Sequence, residues 1–389
     1  MTDTESSPAM LAWHEGAATR SALWRSAAGL VPPRRVVVAD DTLTADAAYR
    51  LACAGTALLW RGDFQNARQL LQAMARRVDR KSSSGGKAKS DYPEAFHRKR
   101  MAQAQRARVL GMLLIPFDVG HAIPLRRAPE VREACEAVYG AGEAPYIASL
   151  RELLGLIGAY EWRRKGVAVP ALGGRIHPHY GVFSPVRGEY VALVGDAPLP
   201  AALKAHSLAF DIGTGTGVLA AVLARRGIER VVATDQDARA LTCARENVER
   251  LGLAGQVEVL QADLFPAGQA PLIVCNPPWV PGKPSSALEY AVYDPDSRML
   301  RGFLGGLAAH LQPGGEGWLI LSDLAEHLKL RSRETLLAWI ENAGLKVLGR
   351  LDVRPTHAKA FDPDDPLHAA RAAEVTSLWR LGQSSPDKD

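Results

Sequence analysis

The rhythm of hydrophobic and polar positions changes along the chain. Residues 1–40 hold little periodic pattern. From Thr44, a hydroxyl placed to cap a helix, apolar residues recur at helical spacing: Ala48, Leu51, Ala52, Leu58 and Leu59. A turn at Gly62-Asp63 leads into a second helical stretch ending near Arg77, which predicts one helical hairpin. Helical patterns resume up to about Arg164, broken by prolines and glycines. Residues 1–165 are therefore expected to be a mostly helical N-terminal domain, with 166–200 as a linker and approach segment.

Beyond residue 200, apolar runs of strand length alternate with segments of helix length. The predicted strands are 208–212, 230–235, 257–263, 272–276, 317–322, 346–353 and 374–381. The predicted helices are about 217–227, 237–251, 297–311 and 331–343. Strands alternating with helices across short turns mean a parallel, doubly wound α/β sheet. The last two strands have no helical pattern between them, so they read as an antiparallel pair at the edge. Residues 201–389 are expected to form this domain.

The turn after the first of these strands reads Asp-Ile-Gly-Thr-Gly-Thr-Gly at 211–217 and opens a helix. Glycines allow a tight turn and a close ligand, and free N–H groups at a helix start bind polar or anionic groups. Asp235, followed by Gln236, ends the second strand about twenty residues on, where a carboxylate accepts from ribose hydroxyls. Gly215-x-Gly217-x-x-Ala220 fits the dinucleotide fingerprint, so an NAD-dependent oxidoreductase is one reading. Three features favour S-adenosylmethionine. Asp211 stands before the glycines, where it can hold an ammonium group and would repel a pyrophosphate. Asp263, with Leu264, ends the third strand, placed to accept from an adenine amino group. The fourth strand ends in Asn-Pro-Pro-Trp at 276–279. The expected cofactor contacts are Asp211, Gly213, Thr214, Gly215, Gly217, Asp235, Gln236, Asp263, Leu264 and Asn276.

With DIGTGTG at 211–217, ATDQD at 233–237, QADLF at 261–265 and CNPPW at 275–279, the chain resembles class I S-adenosylmethionine-dependent methyltransferases over roughly 175–381. That resemblance implies a Rossmann-like fold of seven strands. NPPW is similar to the signature of enzymes that methylate planar nitrogens: adenine N6, guanine N2 or a glutamine side-chain amide. A conjugated amine is a poor nucleophile because its lone pair is delocalised. The Asn276 side-chain oxygen and the Pro277 carbonyl can accept its two hydrogens and aim the lone pair at a sulfonium methyl. Pro277 and Pro278 restrict the backbone, so these acceptors are preorganised where positive charge develops. Trp279 offers a stacking face. The transfer needs no metal and no covalent enzyme intermediate. The segment Tyr-Gly-Val-Phe-Ser-Pro-Val-Arg-Gly-Glu-Tyr at 180–190 is similar to one that precedes the first strand in release-factor glutamine methyltransferases. This implies that Phe183, Pro185, Arg187 and Glu189 border the target pocket. The family's Glu-Thr or Asp-Thr is replaced here by Gly188-Glu189-Tyr190.

Composition changes the picture in two places. With 47% apolar and 23% charged residues, the chain reads as a soluble globular protein. The apolar run 109–117 is too short to span a membrane, and the start shows no leader pattern, so a cytoplasmic setting is expected. The four cysteines are scattered, which speaks against a disulfide framework or a zinc site. The formal charge is only +5, yet residues 76–108 carry eleven Lys or Arg against three acids. Such a basic arm, expected to be flexible around 82–86, suits phosphate binding, with Arg98, Lys99 and Arg100 at its densest point. Nucleic acid, RNA above all, is the favoured substrate. A protein glutamine is the alternative, and a catalytically silent RNA-binding factor is a further reading.

Overall fold

The computed structural model describes residues 9–83, 91–186, 188–284, 289, 291–355, 365 and 367–384. The chain packs as two units. One comprises Met1–Ser90 and His97–Glu161, the other Asp91–Phe96 and Trp162–Asp389.

The first unit holds strands β1 (Met10–Glu15), β2 (Ala18–Trp24), β3 (Arg35–Ala39), β4 (Thr56–Trp60), β5 (Leu113–Phe117) and β6 (Tyr146–Ser149). They form one mixed sheet in the order β1-β2-β6-β5-β4-β3, with β3, β4 and β5 parallel. Helices α1 (Ala45–Cys53), α2 (Phe64–Ser83), α3 (Tyr92–Leu110), α4 (Arg132–Tyr139) and α5 (Leu150–Lys165) lie along the same stretch of chain. More residues are helical than extended, and they accompany a six-stranded sheet that periodicity does not reveal. Thr44 does cap α1, its side chain accepting from the Ala47 N–H at 3.3 Å. The expected helical hairpin is corrected: Leu58 and Leu59 belong to β4, not to a helix. All five residues of β4 are buried, so the strand shows no alternation, and Leu58 falls seven positions after Leu51, which mimics helical spacing. The basic stretch is also more ordered than expected, since α2 and α3 take up both its ends. Residues 84–90, which hold most of the segment expected to be flexible, lie outside the described residues.

The second unit begins with the pair β7 (Val167–Val169) and β8 (Gly174–Ile176), then α6 (Glu189–Asp196). The segment expected as a linker thus carries structure, and Tyr190, Val191 and Val194 of α6 are buried in the core. The main sheet contains β9 (Leu208–Ile212), β10 (Arg230–Asp235), β11 (Val257–Gln261), β12 (Ala270–Cys275), β13 (Leu311–Ser322), β14 (Leu345–Val353) and β15 (Thr376–Gln383). Its order is β11-β10-β9-β12-β13-β15-β14. The first five positions are parallel, and β15 is antiparallel to both β13 and β14. This is the expected Rossmann-like, seven-stranded doubly wound fold with an antiparallel edge pair. The helices are α7 (Val218–Arg225), α8 (Ala238–Arg250), α9 (Arg298–His310), α10 (Leu324–His327), α11 (Arg333–Asn342) and α12 (His368–Ala373).

Strand alternation divides the core. Leu208, Phe210 and Ile212 face a cluster with Phe303 and Leu307 of α9 and Leu336 of α11. Ala209 faces the other cluster, with α6 and α7. Each fully buried Leu, Ile or Phe contributes roughly 1.5–3 kcal/mol, and Leu307→Ala should cost roughly 2–5 kcal/mol through the cavity it leaves.

Candidate active site

The chain leaves β9 for β10 and β11 on one side, then returns to place β12 on the other. Such a reversal opens a crevice outside the carboxyl ends of the strands. The register defines what lines it. Ile212 pairs with Thr234 on one side and with Cys275 on the other, and Asp235 pairs with Gln261. The glycine turn, Asp235 and Asn276 therefore leave the sheet at one level, as neighbours.

Gly213, Gly215 and Gly217 take φ of 72°, 56° and 79°, a region that side chains rarely adopt. The Gly213 and Thr214 N–H groups donate to the Thr234 carbonyl at 2.9 and 2.8 Å, tying the turn to β10. Nothing lies within 4 Å of the point where a Cβ on Gly215 would stand, whereas one on Gly213 would strike the Met299 side chain.

Asp211 shares the Ala209 face of β9, so it points towards α7. It is 1% exposed, and its Oδ2 accepts from the Thr214 hydroxyl at 2.6 Å and from the Ala220 N–H at 3.1 Å. Burial pushes its carboxyl up to about 6, helped by the nearby charge of Asp235. Asp235 Oδ2 accepts from the Gly215 N–H at 3.0 Å and its Oδ1 from the Asp237 N–H at 2.9 Å. Burial raises this carboxyl too. Gln236 is exposed, and its carbonyl accepts from the Gln261 side chain at 3.3 Å.

Asp263 is open, its side chain 74% exposed and 4.0 Å from Arg298. Leu264 sits at φ 74°, and its carbonyl accepts from the Thr234 hydroxyl at 2.6 Å. Leu264 and Phe265 lie over bare glycines of α9. A Cβ on Gly302 would stand 2.7 Å from Leu264, and one on Gly306 would overlap Phe265.

Asn276 and Pro278 are half-buried and Pro277 is buried. The Trp279 indole N–H donates to Asn276 Oδ1 at 2.8 Å, a bond that sequence reading did not show. Trp279 is half-buried and packs against both main clusters and a third one around Phe96, Val280 and Leu328. The loop after it is pinned by a bridge between Val280 and Tyr293 and by Asp294, which accepts from the Met299 and Leu300 N–H groups at 3.0 and 3.1 Å.

Of the approach segment, Pro185 is buried and Phe183 packs on the cluster that also receives Trp279. Glu189 opens α6, and the next residue, Tyr190, is buried where it feels the Asp211 charge. Arg187 lies outside the described residues. Arg98, Lys99 and Arg100 lie on α3, Arg98 exposed and the other two half-buried.

The donor set fits S-adenosylmethionine. The turn has an open side at Gly215, and Asp211 and Asp235 accept from neutral N–H and O–H groups, with lone pairs to spare. Residues 174–337 match the family model described as the methyltransferase small domain. The match spans less than half of the chain, and over it the segment is similar to that family. This likeness favours S-adenosylmethionine over the dinucleotide reading of the glycines.

Three relatives illustrate the range. The chain is 37% identical over 116 residues to the ribosomal protein L11 methyltransferase of Sorangium cellulosum, covering 30% of this chain and 31% of the relative. It is 36% identical over 119 residues to the release factor glutamine methyltransferase of Cereibacter sphaeroides, covering 27% and 43%. It is 29% identical over 172 residues to the ribosomal RNA small subunit methyltransferase C of Alcanivorax borkumensis, covering 40% and 48%. The chain thus spans less than half the length of each of these relatives. A methyltransferase structure from Thiobacillus denitrificans with S-adenosyl-L-homocysteine is 17% identical, with a TM-score of 0.35 over 52% of this chain and 92% of that one.

Proposed function

We propose that this protein transfers a methyl group from S-adenosylmethionine to a planar amino nitrogen of an RNA base. The register of β12 against β9 carries the reading: Cys275 opposite Ile212 brings Asn276 beside the glycine turn. The cofactor supplies a methyl group on a cationic sulfur. Asp235 holds ribose hydroxyls, Asp263 an adenine amine, and Asp211 an ammonium group. Asn276 Oδ1 keeps a lone pair beyond the one facing Trp279, and it accepts one target N–H while the Pro277 carbonyl accepts the other. The nitrogen lone pair then forms the N–C bond as the C–S bond breaks. The nitrogen becomes cationic and loses its proton to water. Asn276 orients and stabilises; it takes no proton.

RNA is favoured by the basic stretch on α2 and α3, and by the rRNA relative, whose match runs longest of the three. A protein glutamine is the second reading, supported by the release-factor relative and by the 180–190 segment. Either substrate belongs to the translation machinery, which suits a cytoplasmic setting.

Incubation with methyl-tritiated S-adenosylmethionine and an extract of cells lacking this protein tests the reading. The expected result is precipitable label that ribonuclease removes. Label removed by protease alone would establish the second reading, and no label in either fraction would end both.

A further inference from the structure

We infer that Arg331 is a positioning residue for the Asn276 amide, acting through Trp279; this rests on the methyl-transfer reading above. Arg331 lies between α10 and α11 and is 6% exposed. Its Nη2 donates to the Trp279 carbonyl and its Nη1 to the Ser297 hydroxyl, both at 3.4 Å. Its Nε is buried with no hydrogen-bond partner among the described residues.

A buried guanidinium is destabilising unless a carboxylate closes on it. The acids whose charge acts on Arg331 are Glu326 and Asp294. Both are engaged elsewhere. Glu326 pairs with Arg333 at 2.7 Å, and both Asp294 oxygens accept from the start of α9. An apolar side chain of similar length would suit this site better on stability alone, so stability does not explain the arginine.

Its contacts supply the other explanation. Trp279 is gripped at two points, its carbonyl by Arg331 and its indole N–H by Asn276 Oδ1. An indole N–H can only donate, so it must meet the amide oxygen rather than the NH2, which fixes the orientation of the amide and leaves the second lone pair of Oδ1 for the target N–H. The same guanidinium holds Ser297, which stands with Asp296 at φ 52° and 54° in strained backbone just before α9. Arg331 thus ties Trp279, three residues after Asn276, to Ser297 before α9.

The test compares native protein with Arg331→Met, Arg331→Lys, Trp279→Phe and the double variant Arg331→Met/Trp279→Phe. Each is measured for cofactor affinity by calorimetry and for methyl transfer to bulk rRNA and to extract protein at saturating cofactor. Arg331→Met should lose between about tenfold and a hundredfold in kcat, the range for misplaced reacting groups, with cofactor affinity unchanged. Arg331→Lys should recover part of the loss. In the Trp279→Phe background, Arg331→Met should change kcat less than about threefold, since contacting residues are non-additive. Full additivity would overturn the inference, as would equal losses of affinity, melting temperature and kcat in both Met and Lys variants. Native protein that binds the cofactor but labels neither substrate ends the methyl-transfer reading, and the inference with it. An active native protein matched by Arg331→Met ends the inference alone.

Discussion

Each unit has parallel strands with helices between them, and each has carboxylates at or near a strand end. Their surroundings differ. In the first unit Asp63 follows β4, is 2% exposed, and accepts from Arg127 through two bonds of 2.7 Å. It also accepts from the Gln65 N–H at the start of α2. The Arg127 guanidinium holds its carboxyl below the usual carboxylate range. In the second unit Asp211 and Asp235 accept from N–H groups and a hydroxyl, and burial raises both. An acid closed by an arginine is a finished joint of the fold. An acid buried against neutral donors still has charge to offer, which is what the proposed cofactor site asks of Asp211 and Asp235.

The comparison can be sharpened first at Asn276. Asn276→Ala should lower kcat about 10²–10³-fold, as removal of a preorganised polar group does, while cofactor affinity stays within about twofold. A variant that transfers at the native rate would remove Asn276 from the reaction.

The next contrast sets Asp235→Ala against Asp63→Ala. The first should weaken cofactor binding by about 1.5–3 kcal/mol, the worth of hydrogen bonds to a charged group, with little change in melting. The second should lower the melting temperature through the lost cap on α2 and the lost Arg127 pair, with cofactor affinity unchanged. Calorimetry and thermal melts of both variants decide this, and indistinguishable profiles would break the comparison.

The two acids should also answer pH with opposite sign. The folded value of Asp211, about 6, lies above the ordinary 3.8. Its proton is held more tightly in the native state, so its contribution to stability is present in acid and is lost as pH rises towards 6. Cofactor affinity runs the other way, because an ammonium group needs the carboxylate, and it should fall below about pH 6. Asp211→Asn should flatten both trends. Asp63 is depressed, so its contribution is present at neutral pH and is lost as pH falls through the low end of the carboxylate range. Its removal should steepen nothing near pH 6.

The smallest expected effect lies on α3. Replacing Arg98, Lys99 and Arg100 by alanine should weaken RNA binding and reduce the salt slope by about 0.7–0.9 per lost phosphate contact. An unchanged slope in binding titrations would leave the basic stretch without a role in RNA capture.

The second unit was legible in the sequence because its strands and turns repeat a simple grammar. Arg230–Asp235 and Leu208–Ile212 begin and end where the apolar runs do, and each closes beside an acid or a glycine. The first unit hid its sheet because β4 and β5 are five-residue runs buried on both faces, beside long helices. Such runs carry no period of their own. At the site, the residue types were readable but their bonds were not. The indole of Trp279 reads as a stacking wall, yet its N–H serves Asn276, three positions back. Arg331 is 52 positions from Trp279, and nothing local marks it. A contact made by the fold leaves no trace in spacing.

The bare glycines of α9 have a consequence for how the crevice meets its ligand. Gly302 and Gly306 let Leu264 and Phe265 settle against the helix, so the backbone on the far side of Asp263 is clamped while its carboxylate stands in solvent. On the proposed reading, binding freezes only the rotamers of one short side chain rather than a loop. The ordering entropy of that segment has already been lost in folding, and a methyl group added at Gly302 would hand the disorder back.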